Sequence, residues 1–133
     1  MTPRRALLDT SVLIAAENGR SLDTEAVPAQ TAVSVVTIAE LHAGVLVAGD
    51  TTTRARRLRT LDAVSVVQAL PVTAEAARQW AALRVRLAEE GCAAKVNDLW
   101  IAAVAAANGL DVVSQDSDFD AIESVGGPFV IRV

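Results

Sequence analysis

The chain has 133 residues, carries a formal net charge of −4, and is 52% hydrophobic and 21% charged. That is enough for one domain with a real core and too little for two; it excludes a disordered chain and argues against a simple basic nucleic-acid binder. Aromatic residues make up only 3%, so the core must come from Val, Leu, Ile and Ala, as in an α/β domain of valine-rich strands and alanine-rich helices.

Residues 4–8, RRALL, read as a short buried strand ending at Asp9. Residues 10–17 read as a helix closed by Asn18-Gly19. Residues 31–35 form a second strand. Residues 37–47 follow as a packed helix with Ile38, Leu41, Gly44 and Val45 on one side. A polar, arginine-rich helix is expected over 51–63 and a strand over 64–69, ended by Pro71. Residues 73–90 form an amphipathic helix, with Ala77, Trp80, Leu83 and Leu87 on one side and Gly91 as its stop. A helix over 96–108 ends at Asn108-Gly109. A strand over 110–114, a turn or short helix over 117–122 and a last strand over 129–133 complete the chain. Strands alternating with helices imply a parallel sheet covered on both faces. With no linker or repeat, one domain over 1–133 is expected.

Cys92 is the lone cysteine, which precludes an internal disulfide and fits a reducing compartment. Asp9 interrupts the only early apolar run, so no signal peptide is read, and Leu99 to Ala107 is too short to span a bilayer. A soluble cytoplasmic protein without membrane attachment is expected.

The stretch VNDLWIAAVAAANGLDVVSQDSDFD, residues 96–120, brackets an apolar unit with acids at both ends. Four acids stand out along the chain: Asp9, Glu40, Asp98 and Asp116. Each has an ordinary structural role open to it. Asp9 can cap the helix after it, and Glu40 can complete a capping box with Thr37. Asp98 suits the first turn of a helix, and Asp116 can start an Asx-turn.

Position gives them a second meaning. Asp9 follows a strand, and Glu40 falls in the first turn of a helix fed by one. Both lie at the C-terminal edge of a parallel sheet, where ligands bind. The helix after Asp98 runs about 15 Å away from that edge, and the next strand returns roughly 13 Å, bringing Asp116 back. Two unit charges 4 Å apart repel by about 1 kcal/mol in water and about 4 at an effective dielectric of 20. A fold that gathers four carboxylates must protonate some or bind cations. All-oxygen ligation suits Mg²⁺ or Mn²⁺. His42, on a different helix face from Glu40, is read as a non-ligand. Such an ion equips a site for phosphoryl chemistry. Thr10, Ser11 and Ser114 are placed to orient ligands or water, or to serve as plain cap and turn residues.

At these residues the chain resembles the PIN domain. LLDTSVLI at 7–14, TIAEL at 37–41, NDLWIAAVAAANGLDVVSQDSDF at 97–119 and a closing strand occur in the family's order over nearly the whole chain. The likeness is closest to the VapC-type toxins of bacterial toxin–antitoxin pairs. It implies a three-layer α/β/α fold and an Mg²⁺- or Mn²⁺-dependent ribonuclease acting on RNA such as tRNA or rRNA. It also implies a homodimer silenced by a cognate antitoxin. The family's acids fall on Asp9, Glu40, Asp98 and Asp116, with Asp118 a near alternative for the fourth. Its hydroxyls fall on Thr10 or Ser11 and on Ser114. By this likeness Asp9, Glu40 and Asp98 hold the principal metal, Asp116 supports it or a second ion, and an activated water attacks a phosphodiester in line.

One departure is visible: the family often carries Thr-Arg before the last acid, and here the pair is Ser114-Gln115, one positive charge fewer. Arg54, Arg56, Arg57 and Arg59 are candidate phosphate contacts, or face the antitoxin or water. Arg78, Arg84 and Arg86 form a second basic group. A phosphatase of the haloacid dehalogenase type needs a second acid two residues after the first, where Ser11 stands. A catalytically silent PIN fold, kept for dimerisation or as an antitoxin decoy, is the other alternative. The helix over 73–90 is a candidate dimer interface.

Overall fold

A computed structural model describes residues 4–133. Five strands form one parallel sheet in the order β3-β2-β1-β4-β5: β1 Arg5–Leu8, β2 Gln30–Ser34, β3 Ala69–Leu70, β4 Asp111–Ser114 and β5 Val130–Arg132. The helices are α1 Thr10–Glu17, α2 Val35–Leu46, α3 Thr51–Val64, α4 Ala74–Glu89, α5 Val96–Ala107 and α6 Asp120–Ser124, with one 3-10 turn at Thr24–Ala26. No helix among the described residues is long and apolar enough to cross a membrane.

The period of two along each strand builds two cores, one per sheet face. Leu7, Val112 and Val130 join Leu83 and Leu87 of α4, Ile101, Ala102, Val104 and Ala105 of α5, and Phe119 and Ile122. Ala6, Val113 and Ile131 point the other way and meet Val12 of α1, with Leu22, Ala26 and Val27 beside them. The result is the expected α/β/α layering. From β1 the chain builds outward through β2 to β3, then crosses back to lay β4 on the other flank of β1. The direction of building reverses between β1 and β4, and a crevice opens there at the C-terminal ends of the strands.

Gly19, Gly91 and Gly109 follow α1, α4 and α5 with φ of 70°, 67° and 64°, the left-handed stops expected of them. Other expectations need correction. The expected strand over 64–69 is reduced to Ala69–Leu70. Val64 is instead the buried last residue of α3, Ser65 caps that helix by donating to Asp62 O at 2.6 Å, and Val66 is 87% exposed. A β-branched run imitated a strand because burial, not propensity, decides its state. Helix α2 begins two residues before Thr37, with Ser34 as its N-cap accepting from Thr37 N at 3.2 Å. The Thr37–Glu40 capping box is therefore not formed, and Glu40 lies in the second turn rather than the first. The apolar side of α4, a candidate dimer interface, is partly used within the chain, while Ala77 stays exposed and Val85 is 56% exposed. Leu83 and Leu87 are buried there, and Trp80 stacks on Trp100 of α5 with ring centroids 5.0 Å apart.

The turn into β5 is closed by Gly126-Gly127. A Cβ on Gly127 would lie 2.5 Å from Ile122 O and 2.7 Å from Ile122 Cγ2. Gly127→Ala is expected to destabilise the fold by about 1–3 kcal/mol, whereas Gly49→Ala, where a Cβ meets nothing within 4 Å, leaves stability within about 0.5 kcal/mol. Denaturant unfolding of the two variants checks the difference.

Candidate active site

The crevice is lined from three strand ends. Asp9 follows β1, its amide donating to Val113 O of β4 at 2.9 Å. Asp9 is the N-cap of α1 and is buried, 3% exposed. Hydroxyl and amide donors converge on its Oδ2: Ser11 Oγ at 2.6 Å, Ser114 Oγ at 3.2 Å and Ser11 N at 3.4 Å. Among the described residues none donates to Oδ1, which is left for something else. Ser11 Oγ also accepts from Gln115 N at 3.1 Å, tying the end of β4 to the start of α1. The residue that excludes a second acid here thus serves to orient the first.

Glu40 is joined to this edge through α1. Thr10 Oγ1 donates to Glu40 Oε1 at 2.8 Å and lies 2.9 Å from Thr37 Oγ1. Thr10 and Thr37 are buried, so the relay fixes the carboxylate from below. Glu40 also borders a cavity of about 290 Å³ between α1, α2 and α3, lined by Ile14, Glu17, Leu41, Arg56 and Arg57 among others. His42 is exposed.

Asp98 sits in the first turn of α5, where the helix dipole favours an anion. The dipole does not win. Burial raises the Asp98 pKa to about 7, with Asp9, Asp118 and Asp116 adding to the shift and Lys95 opposing it. Asp98 Oδ2 is buried with no hydrogen-bond partner among the described residues. Burial also raises Asp9, and Asp116 adds to it, against the hydrogen bonds from Ser11 and Ser114. A buried carboxylate oxygen without a donor, beside three further carboxylates, favours either a proton or a cation.

Asp116 and Asp118 share the loop after β4. Asp116 Oδ1 accepts from Asp118 N at 3.0 Å, the expected Asx-turn, and lies 3.4 Å from Ser114 Oγ. Asp118 instead pairs with Lys95, Nζ to Oδ2 2.7 Å. Sequence reasoning missed Lys95, although its place three residues before Asp98 was the available signal. The arginines of α3 divide. Arg54 and Arg57 donate to Ala48 O at 3.2 Å and Gly44 O at 2.6 Å, bracing α3 on the end of α2. Arg56 and Arg59 line the groove between α1 and α3.

As the side chains stand, no three Asp, Glu, His or Cys among the described residues are grouped to hold one ion. Like charges with no cation between them oppose closer approach. The donor set is nonetheless all oxygen, and Asp98 Oδ2 and Asp9 Oδ1 are without protein donors, which fits a hard divalent cation.

The sequence profile of the PIN domain matches residues 6–125. Over 132 residues the chain is 52% identical to "Ribonuclease VapC5" of Mycobacterium tuberculosis (strain ATCC 25618 / H37Rv), covering 99% of this chain and 98% of that protein. It is 38% identical to "Ribonuclease VapC4" of the same strain over 125 residues, 94% of this chain and 96% of that one. A chain in the crystal structure of VapBC-5 from M. tuberculosis, a member of the VapBC family of toxin-antitoxin systems, superposes with a TM-score of 0.91. That chain is 49% identical, with 98% of this chain and all of that chain covered.

The raised Asp98 pKa has a stability consequence. The folded state holds the Asp98 proton more tightly than the unfolded chain, whose carboxyl stays near 3.8. Its contribution to folding is therefore complete below that value and is lost as pH rises through 7. In EDTA, Asp98→Asn is expected to gain stability over wild type progressively as pH rises from about 4 to 7. At pH 8 it should be more stable by about 1 kcal/mol, or roughly 4 °C. Equal melting temperatures at pH 8 would contradict the burial of an uncompensated charge.

Proposed function

The chain belongs to the PIN-domain family, and from that premise we propose that it is a VapC-type endoribonuclease toxin. In this reading it hydrolyses RNA phosphodiester bonds with Mg²⁺ or Mn²⁺ and is neutralised by a cognate antitoxin. The observation that carries the metal requirement is Asp98 Oδ2, buried and unpartnered beside Asp9, Asp116 and Asp118. Support for the activity and partner comes from two relatives named as ribonucleases and one solved as part of a toxin–antitoxin system.

Asp9, Asp98 and Asp116 would hold the ion, with Glu40 completing the set from α2. A bound divalent cation supplies Lewis-acid stabilisation of the phosphoryl oxygens and acidifies the attacking water. The chain's own contribution is positional. Ser11 and Ser114 fix the rotamer of Asp9 through Oδ2, and Oδ1 would be the oxygen available to the ion. Thr10, backed by Thr37, does the same for Glu40. Orientation of ligands by such partners commonly sets metal affinity within a factor of about 10–100. Asp118, held by Lys95, borders the site. The RNA is proposed to be tRNA or rRNA in the cytoplasm, and the active form a homodimer. The silent-fold alternative is not favoured, since all four acids are present and two relatives are named as ribonucleases.

The test is cleavage of a pooled tRNA and rRNA substrate by antitoxin-free protein with Mg²⁺, Mn²⁺ or EDTA. Wild type is expected to cut only with metal, and Asp98→Asn to lose about 100-fold or more of the rate. Ser11→Ala is expected to fall about tenfold. Cleavage that persists in EDTA, or an undiminished Asp98→Asn, would overturn the metal-dependent reading.

A further inference from the structure

An acidic edge on a protein of net charge −4 repels the polyanion it is meant to cut, so some cation has to meet the phosphates on the way in. Two basic side chains contact the 116–120 loop that borders the carboxylates. Arg132 is engaged at both terminal nitrogens, with Asp120 and with Asp116 O. Lys95 makes one contact, with Asp118. An ammonium carries three donors, so two are unused among the described residues.

Lys95 is the N-cap residue of α5, extended at φ −62° and ψ 141°, and offers that helix no side-chain cap. Its backbone is fixed by accepting from Leu99 N at 3.0 Å, while its side chain is 75% exposed. The root is held three residues from Asp98, and the tip reaches solvent. Asp98 and Asp116 also act on its charge, so the ammonium lies within the field of the site rather than beside it. An exposed Lys–Asp pair holds by about 1 kcal/mol or less, which a phosphate oxygen readily displaces.

We propose that Lys95 is the substrate-side cation of this active site, parked on Asp118 in the free protein and transferred to a backbone phosphate of bound RNA. The proposal rests on the ribonuclease reading. It concerns RNA affinity and the salt dependence of binding, not the bond-breaking step. It also assigns Asp118 a role apart from Asp9, Asp98 and Asp116: it competes with the phosphate for Lys95.

Binding of a fluorescently labelled single-stranded RNA in EDTA, followed by anisotropy over a range of KCl concentrations, tests this without cleavage. Lys95→Gln is expected to weaken binding about fivefold at low salt and to reduce the salt slope by roughly 0.7. Lys95→Arg should restore both, and Asp118→Asn, which frees the ammonium, should bind as tightly as wild type or more so. With Mg²⁺ present, Lys95→Gln should raise KM and leave kcat within about twofold. Wild-type affinity and slope in Lys95→Gln would overturn the proposal and leave the ribonuclease reading standing. Equal losses in Lys95→Gln and Asp118→Asn would reduce the pair to a brace for the loop and overturn it too. A wild type that neither binds nor cuts RNA would overturn both readings together.

Discussion

Charges of one sign held together by a fold are balanced by protons, by built-in cations or by bound ones. Much of this structure follows from which of these is used at the C-terminal edge of the sheet. Asp9, Asp98, Asp116 and Asp118 act on one another there, and burial pushes Asp98 up to about 7. The helix dipole at the start of α5 favours the anion by about 1 kcal/mol at most in ordinary settings. Desolvation with three like charges outweighs it. Burial therefore favours a proton on Asp98, and Lys95 sets an ammonium against Asp118.

The rest of the fold serves to hold that edge under strain. The parallel sheet sets Asp9 and Ser114 side by side at the crevice between β1 and β4. Two apolar cores clamp the strands from either face. The hydroxyls of Ser11 and Ser114 grip one oxygen of Asp9, and the buried Thr10–Thr37 pair grips Glu40. Repelling carboxylates are kept in place by short donors attached to rigid element ends. This costs stability, as is common at functional sites.

The layered α/β architecture, the helix stops at Gly19, Gly91 and Gly109 and the return of the chain to the edge left at Asp98 were legible from residue pattern and element length. The residues from Val64 to Gln68 were not, because a run of β-branched side chains looks alike whether it ends a helix or starts a strand. The start of α2 was missed for a related reason. Thr37 and Glu40 have capping-box spacing, but Ser34, buried at the end of β2, reaches Thr37 N first. At the site, the sequence singles out the acids but not their partnerships. That Glu40 is tethered by Thr10, that Arg54 and Arg57 brace α3, and that Asp118 is paired with Lys95 depend on side-chain contacts over 30, 6, 13 and 23 positions. No local pattern encodes such contacts.

The central proposal is that burial and its neighbours raise the Asp98 pKa to about 7, and that a divalent cation would displace the proton. Calorimetric titration of Mn²⁺ into antitoxin-free protein at pH 7, in two buffers of different ionisation enthalpy, measures the protons released on binding. The account predicts release of about half a proton per site or more at pH 7, close to none at pH 8.5, and a loss of both the release and most of the affinity in Asp98→Asn. Tight binding with no proton release at pH 7, or binding unchanged in Asp98→Asn, would contradict it.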